Sequence, residues 1–105
     1  MRKGAVLSLV LVLCLLLSGC SKTFSASYLH EDGEEVIEFF KDGTIEVTNK
    51  SFITSGTYEY IEKDIYEIRM NVLWGQRKYK AVFDDDMLEL TLESTGEVFI
   101  YYLIK

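Results

Sequence analysis

The chain has 105 residues, 49% hydrophobic and 27% charged, with seven Tyr, six Phe and one Trp. Its length bounds it to one small domain, and the aromatic content excludes a disordered chain, whose signature is low hydrophobicity with few aromatics. Seventeen acidic residues against eleven basic ones give a net charge of −6, which repels nucleic acid and argues against a nucleic-acid partner.

The first element is an address segment. Arg2 and Lys3 precede an almost wholly apolar run from Ala5 to Leu17, and Ser18-Gly19-Cys20 closes it with small residues. That is the three-part layout of a secretory signal peptide. The run is short of the roughly 20 residues that a bilayer span needs. The leading positive charge holds that end in the cytoplasm and directs the downstream domain to the outside.

Leu17-Ser18-Gly19-Cys20 resembles the lipobox of prokaryotic lipoproteins. The resemblance implies cleavage between Gly19 and Cys20 and a covalent diacylglyceryl and fatty acyl anchor on Cys20. It places the protein at the cell membrane, on the extracytoplasmic side. Each buried methylene contributes about 0.8 kcal/mol, and two chains suffice for stable attachment. Residues 1–19 are then a lipoprotein signal peptide, and Cys14 leaves with them. The one remaining thiol carries lipid, so no intramolecular disulfide is expected and the domain must be held by its core.

Residues 20–27 read as the lipidated Cys and a short polar tether, and residues 28–105 as the domain. Without Arg2 and Lys3 the chain carries a net charge of −8. Proline is absent. Turn signals recur about every ten residues: Glu31-Asp32-Gly33, Lys41-Asp42-Gly43, Thr48-Asn49-Lys50, Lys63-Asp64, Trp74-Gly75-Gln76, Asp84-Asp85-Asp86 and Ser94-Thr95-Gly96. That beat marks an all-β meander, sandwich or barrel.

Between the turns the apolar residues alternate. Ile37 and Phe39 share a face, as do Ile45 and Val47, and Tyr58 and Tyr60. Tyr66, Ile68, Met70 and Val72 make a longer stripe, followed by Tyr79, Ala81 and Phe83, then by Leu88, Leu90 and Leu92. Charged residues and Thr fill the opposite positions, as an antiparallel sheet with one wet face requires. The segment from Glu31 to Lys41 offers Val36, Phe39 and Phe40 on one helical face, but the Asp42-Gly43 turn favours a strand. The expectation is an antiparallel up-and-down meander of about seven strands, closing into a small barrel or half-barrel.

Phe39-Phe40-Lys41-Asp42-Gly43-Thr44, then Gly56-Thr57-Tyr58, then Met87-Leu88-Glu89-Leu90 resemble the hairpin, middle strand and final strand of small bacterial lipocalin-like lipoproteins. The resemblance spans most of residues 28–104. Tyr28 stands where such domains often carry a Trp. The resemblance implies an up-and-down barrel and no particular activity, because function belongs to the site rather than the fold.

No catalytic set is visible. His30 lies near Glu31 and Asp32, but a zinc site needs three or four ligands and neither a second His nor a free Cys exists, so a solvated turn is expected. Adjacent Asp84, Asp85 and Asp86 cannot all face one calcium ion. No metal and no cofactor beyond the lipid is expected. Ser51, Ser55 and Gly56 include no nucleophile elbow. Their loop resembles that of lipid-anchored lysozyme inhibitors, which carry a cysteine pair that this chain lacks.

Trp74 either caps a barrel end or is an exposed contact anchor. The last strand is apolar on both faces. Val98, Ile100, Tyr102 and Ile104 fit the core, leaving Phe99, Tyr101 and Leu103 outside beside Val36 and Phe40. These five make a candidate partner patch, unless Phe24 to Leu29 covers it. Tyr58, Tyr60, Tyr66 and Tyr79 would line any cavity for a small apolar ligand, although a chain this short is expected to fill its interior with side chains. The functional expectation is a non-catalytic, membrane-anchored binding module of the cell envelope. The alternative is an inhibitor or exclusion factor that blocks an extracellular hydrolase or another envelope protein, through Ser51 to Ser55 or Trp74 to Arg77.

Overall fold

A computed structural model describes residues 22–105; the expected signal peptide, the Gly19–Cys20 cleavage site and the lipidated Cys20 lie outside the described residues. Eight strands follow one another: β1 (Ala26–His30), β2 (Val36–Phe39), β3 (Thr44–Thr48), β4 (Ile53–Glu62), β5 (Ile65–Val72), β6 (Gly75–Asp84), β7 (Met87–Leu92) and β8 (Val98–Leu103). Each pairs antiparallel with the next, and β1 pairs with β8 to close the barrel. Closure removes the unpaired edges that an open sheet would expose.

The alternation read from the sequence sets the faces. Ile37 opposes Val47, Tyr58 opposes Ile68, Tyr66 opposes Ala81, and Ala81 opposes Leu90. All of these are buried, with Phe39, Ile68 and Leu88 at 0% exposure. Burying one such side chain contributes about 1.5–3 kcal/mol. The longest pairing is that of β5 with β6, from Ile65↔Val82 to Val72↔Gly75.

The turns are built as their residues dictate. Asp42 Oδ1 accepts the Thr44 N–H at 3.0 Å and the Thr44 hydroxyl at 2.6 Å, and Gly43 adopts φ 90°. An Asx turn followed by a residue with positive φ is the chemistry of Asp-Gly. Asp64 and Asp85 take φ 63° and 53° at the β4–β5 and β6–β7 turns, a region that Asp tolerates better than most residues.

The eighth strand is β1. It begins at Ala26, inside the stretch expected as tether, and it inserts between β2 and β8. Tyr28 faces the core at 6% exposure. One end of the barrel, its base, carries the incoming chain at Lys22, the β2–β3, β4–β5 and β6–β7 turns, and the C-terminus. The other end, its mouth, carries the β1–β2, β3–β4, β5–β6 and β7–β8 connections.

β8 faces the other way from expectation. Phe99 and Leu103 pack half-buried against the core, and Tyr101 is 3% exposed. Val98, Tyr102 and Ile104 are the exposed ones, at 51%, 50% and 47%. The β7–β8 loop fixes this register: Leu92 N–H donates to Glu97 O at 2.8 Å and Gly96 N–H to Leu92 O at 2.7 Å. That places Phe99 opposite Leu90 and Tyr101 opposite Leu88. A shift of one residue exchanges the two faces of a strand.

Candidate functional site

The base is closed by aromatic side chains. Phe24 enters the barrel and stacks on Phe39 at 5.1 Å between centroids, with Tyr58 and Phe83 at 5.4 Å and Tyr66 at 5.6 Å. Two phenols hold the backbone that carries it. Tyr66 donates to Lys22 O at 2.7 Å, and Tyr58 accepts the Phe24 N–H at 2.9 Å while donating to Phe40 O at 2.6 Å. The segment read as a free spacer is therefore docked from Lys22 onward. A shallow hollow of about 360 Å³ remains at its side, bordered by Lys22, Tyr60 and Lys63.

The mouth is open. It leads into a cavity of about 420 Å³, inside the range of about 300–1,000 Å³ common for small-ligand sites. The interior is filled by side chains in its base half, as expected, and leaves space in its mouth half. Aromatic rings crowd the base half, so the aliphatic residues of the other half leave space between the walls. Ile37, Val47, Ile68, Met70, Val72 and Leu90 supply the apolar wall, with Phe52 and Thr54 nearer the opening. Of the four tyrosines expected to line a cavity, only Tyr79 does; Tyr58 and Tyr66 belong to the base plug and Tyr60 to the side hollow.

The polar groups of the cavity sit on opposite walls. His30, Asp32 and Glu35 come from β1 and the loop after it, Arg77 and Tyr79 from β6, and Tyr101 from β8. His30 is not in a solvated turn. Its side chain is 17% exposed, its Nδ1 lies 2.9 Å from Asp32 Oδ1, and its ring meets Tyr101 edge-on at 4.9 Å. The Glu34 N–H, and then His30, hold the Asp32 carboxyl below its ordinary range.

Glu35 is in phase with inward Ile37 and Phe39, and its backbone carbonyl accepts the His30 N–H at 2.7 Å. Its carboxylate accepts a short hydrogen bond from the buried Tyr101 hydroxyl. Burial, then the hydrogen bond to Glu35 and the Glu35 charge, push the Tyr101 phenol far above its ordinary value, so it stays protonated and remains a donor. Sequence reasoning missed Glu35. Its parity with Ile37 was the available signal, hidden because the strand itself begins only at Val36.

The candidate partner patch is not assembled as expected. Tyr101 is buried, Phe99 lines the cavity, and Leu103 packs on the core. Val36 remains outside, where the register runs Val36, Leu29, Tyr102 and Met87 across four neighbouring strands. Phe40 is half-buried in the β2–β3 turn, and β1 separates its strand from β8. Trp74 caps nothing: it is 75% exposed, with the Arg77 guanidinium 5.8 Å from its ring. Leu73 beside it is 99% exposed, and Phe52 on the β3–β4 connection and Ile53 at the start of β4 are 54% and 66% exposed.

No protein family, curated protein or solved structure matches this chain.

Proposed function

We propose that the protein is a non-catalytic, lipid-anchored binding module of the cell envelope, which takes a small, mainly apolar ligand into the mouth of its barrel. The cavity carries this reading. It is apolar on most of its wall, a few polar groups converge at its opening, and an aromatic plug seals its far end. Eight strands make a barrel wide enough for one small ligand. The lipobox-like Leu17-Ser18-Gly19-Cys20 supplies the anchor, and its place in the chain supports the orientation. Cys20 precedes docked Lys22 by two residues, a reach of about 7 Å at most. The base then faces the membrane and the mouth faces away from it.

The test uses protein purified from membranes and placed in phospholipid nanodiscs, with methionine methyl groups labelled for NMR. Met70 lies on the cavity wall and Met87 on the outside of the barrel. Adding 4-phenylbutanol is expected to shift the Met70 methyl signal and leave that of Met87 in place. Equal shifts at both, or at neither, would contradict the reading.

Exposed Leu73 and Trp74, with Phe52 and Ile53 beside them, favour a second reading. A blocking protein needs protruding apolar residues that a target can bury, and aromatic anchors dominate such contacts. On this reading the mouth rim inserts into another envelope protein or an extracellular hydrolase. Loss of inhibition or of partner capture in Trp74→Ser, with ligand binding retained, would select it.

A further inference from the structure

We infer that the ligand of the mouth cavity is an organic cation: an ammonium group on an apolar body, with the ammonium paired to Glu35. This deepens the proposed binding function and rests on it.

Four charged or chargeable side chains reach the cavity: His30, Asp32, Glu35 and Arg77. Asp32 is already engaged with His30. Arg77 lines the cavity at the exposed rim, where its guanidinium lies 5.8 Å from the Trp74 ring and makes no ion pair with Glu35. Glu35 is different. Tyr101, itself 3% exposed, fixes its carboxylate through a hydrogen bond from a neutral phenol. A phenol orients the carboxylate but does not neutralise it. Among the described residues no Lys or Arg lies within ion-pair distance of Glu35. A partly desolvated carboxylate in an apolar wall is stabilised by a cation, and among the described residues none is paired with Glu35.

The aromatic residues point the same way. Phe99 and Tyr79 meet edge-on at 6.3 Å, and Tyr101 and His30 meet at 4.9 Å. The faces of Phe99, Tyr79 and Tyr101 are electron-rich, and such rings in one cavity with a carboxylate are the chemistry of ammonium recognition. The aliphatic side chains of Met70, Val72 and Leu90 then take the apolar body. The net charge of −8 beyond Arg2 and Lys3 draws cations towards the protein at long range.

The inference is tested in the same nanodiscs with three probes of one shape at pH 7: 4-phenylbutylamine, 4-phenylbutanol and 4-phenylbutyrate. Lipid-only discs correct for partition into the bilayer, and the Met70 methyl shift gives each affinity. The amine is expected to bind about tenfold tighter than the alcohol, as a charge-assisted pair implies, with the acid weakest. Glu35→Gln still accepts the Tyr101 hydroxyl, and it is expected to erase the difference between amine and alcohol. The wild-type series stands by itself if that variant does not fold. Equal affinities, or a tightest acid, would overturn the cation assignment while leaving the cavity reading in place. If no probe moves Met70, both readings fall.

Discussion

Gly56 is the residue whose side chain the fold can least accept. A Cβ there would lie 2.2 Å from the Arg69 carbonyl oxygen, which is backbone of the neighbouring strand and cannot yield. Gly56→Ala is therefore expected to cost about 3 kcal/mol, at the upper end of overpacking effects, measured by urea denaturation. Asp42 acts through its charge. Hydrogen bonds from Thr44, side chain first and backbone second, hold its carboxyl below the ordinary 3.8; Asp32 is lowered by the Glu34 N–H and His30. A carboxyl depressed in the folded state adds stability above its unfolded value and loses it as pH falls through the folded one. Melting temperature is expected to decline below about pH 4, and Asp42→Asn to flatten part of that decline. The Asp-Gly turn and the Gly-Thr-Tyr strand were legible as local chemistry. The partner of Tyr101 was not, because Glu35 is 66 residues away and no local pattern links them.

At the scale of elements, seven strands were legible because turn signals bound each of them and most alternate apolar with polar residues. β1 was not: Ala26 to His30 is short and mixes small, aromatic and apolar residues without a charged alternation. The facing of β8 was hidden for the opposite reason. Val98 to Leu103 is apolar at every position, so alternation carries no information and the register comes from the five residues between it and β7. Tyr101 settles the facing, since its phenol needs a buried acceptor and Glu35 supplies one. The docked segment before β1 is an element too. Phe24→Ala removes the ring that four aromatics surround at 5.1–5.6 Å. Its cost is expected to be about 2 kcal/mol, less than for a fully buried Phe because the residue is half-buried, and to lower the melting temperature by about 10 °C. Tyr58→Phe keeps the ring but loses the hold on Phe24 and Phe40. Faster backbone amide exchange is expected at Phe24 with little change in the melting temperature, readable by NMR.

For the whole molecule the arrangement is polar along the barrel axis. Docked Lys22 and the aromatic plug lie at one end, and the cavity with exposed Leu73 and Trp74 lies at the other. A ten-residue strand such as β6 separates the two by about 25 Å when tilted as barrel strands are. On the proposed reading, a lipid at Cys20 would turn that axis into an orientation and make the cavity reachable from outside the membrane. Trp74 is the only Trp in the chain, so its fluorescence reports the mouth without ambiguity. The most direct measurement is the quenching of Trp74 in protein floated with vesicles that contain head-group spin-labelled lipid. The protein is expected to float through its anchor and Trp74 to keep its full emission. Protein that fails to float, or a Trp74 quenched by the labelled head groups, would contradict a base held at the membrane and a mouth turned away from it.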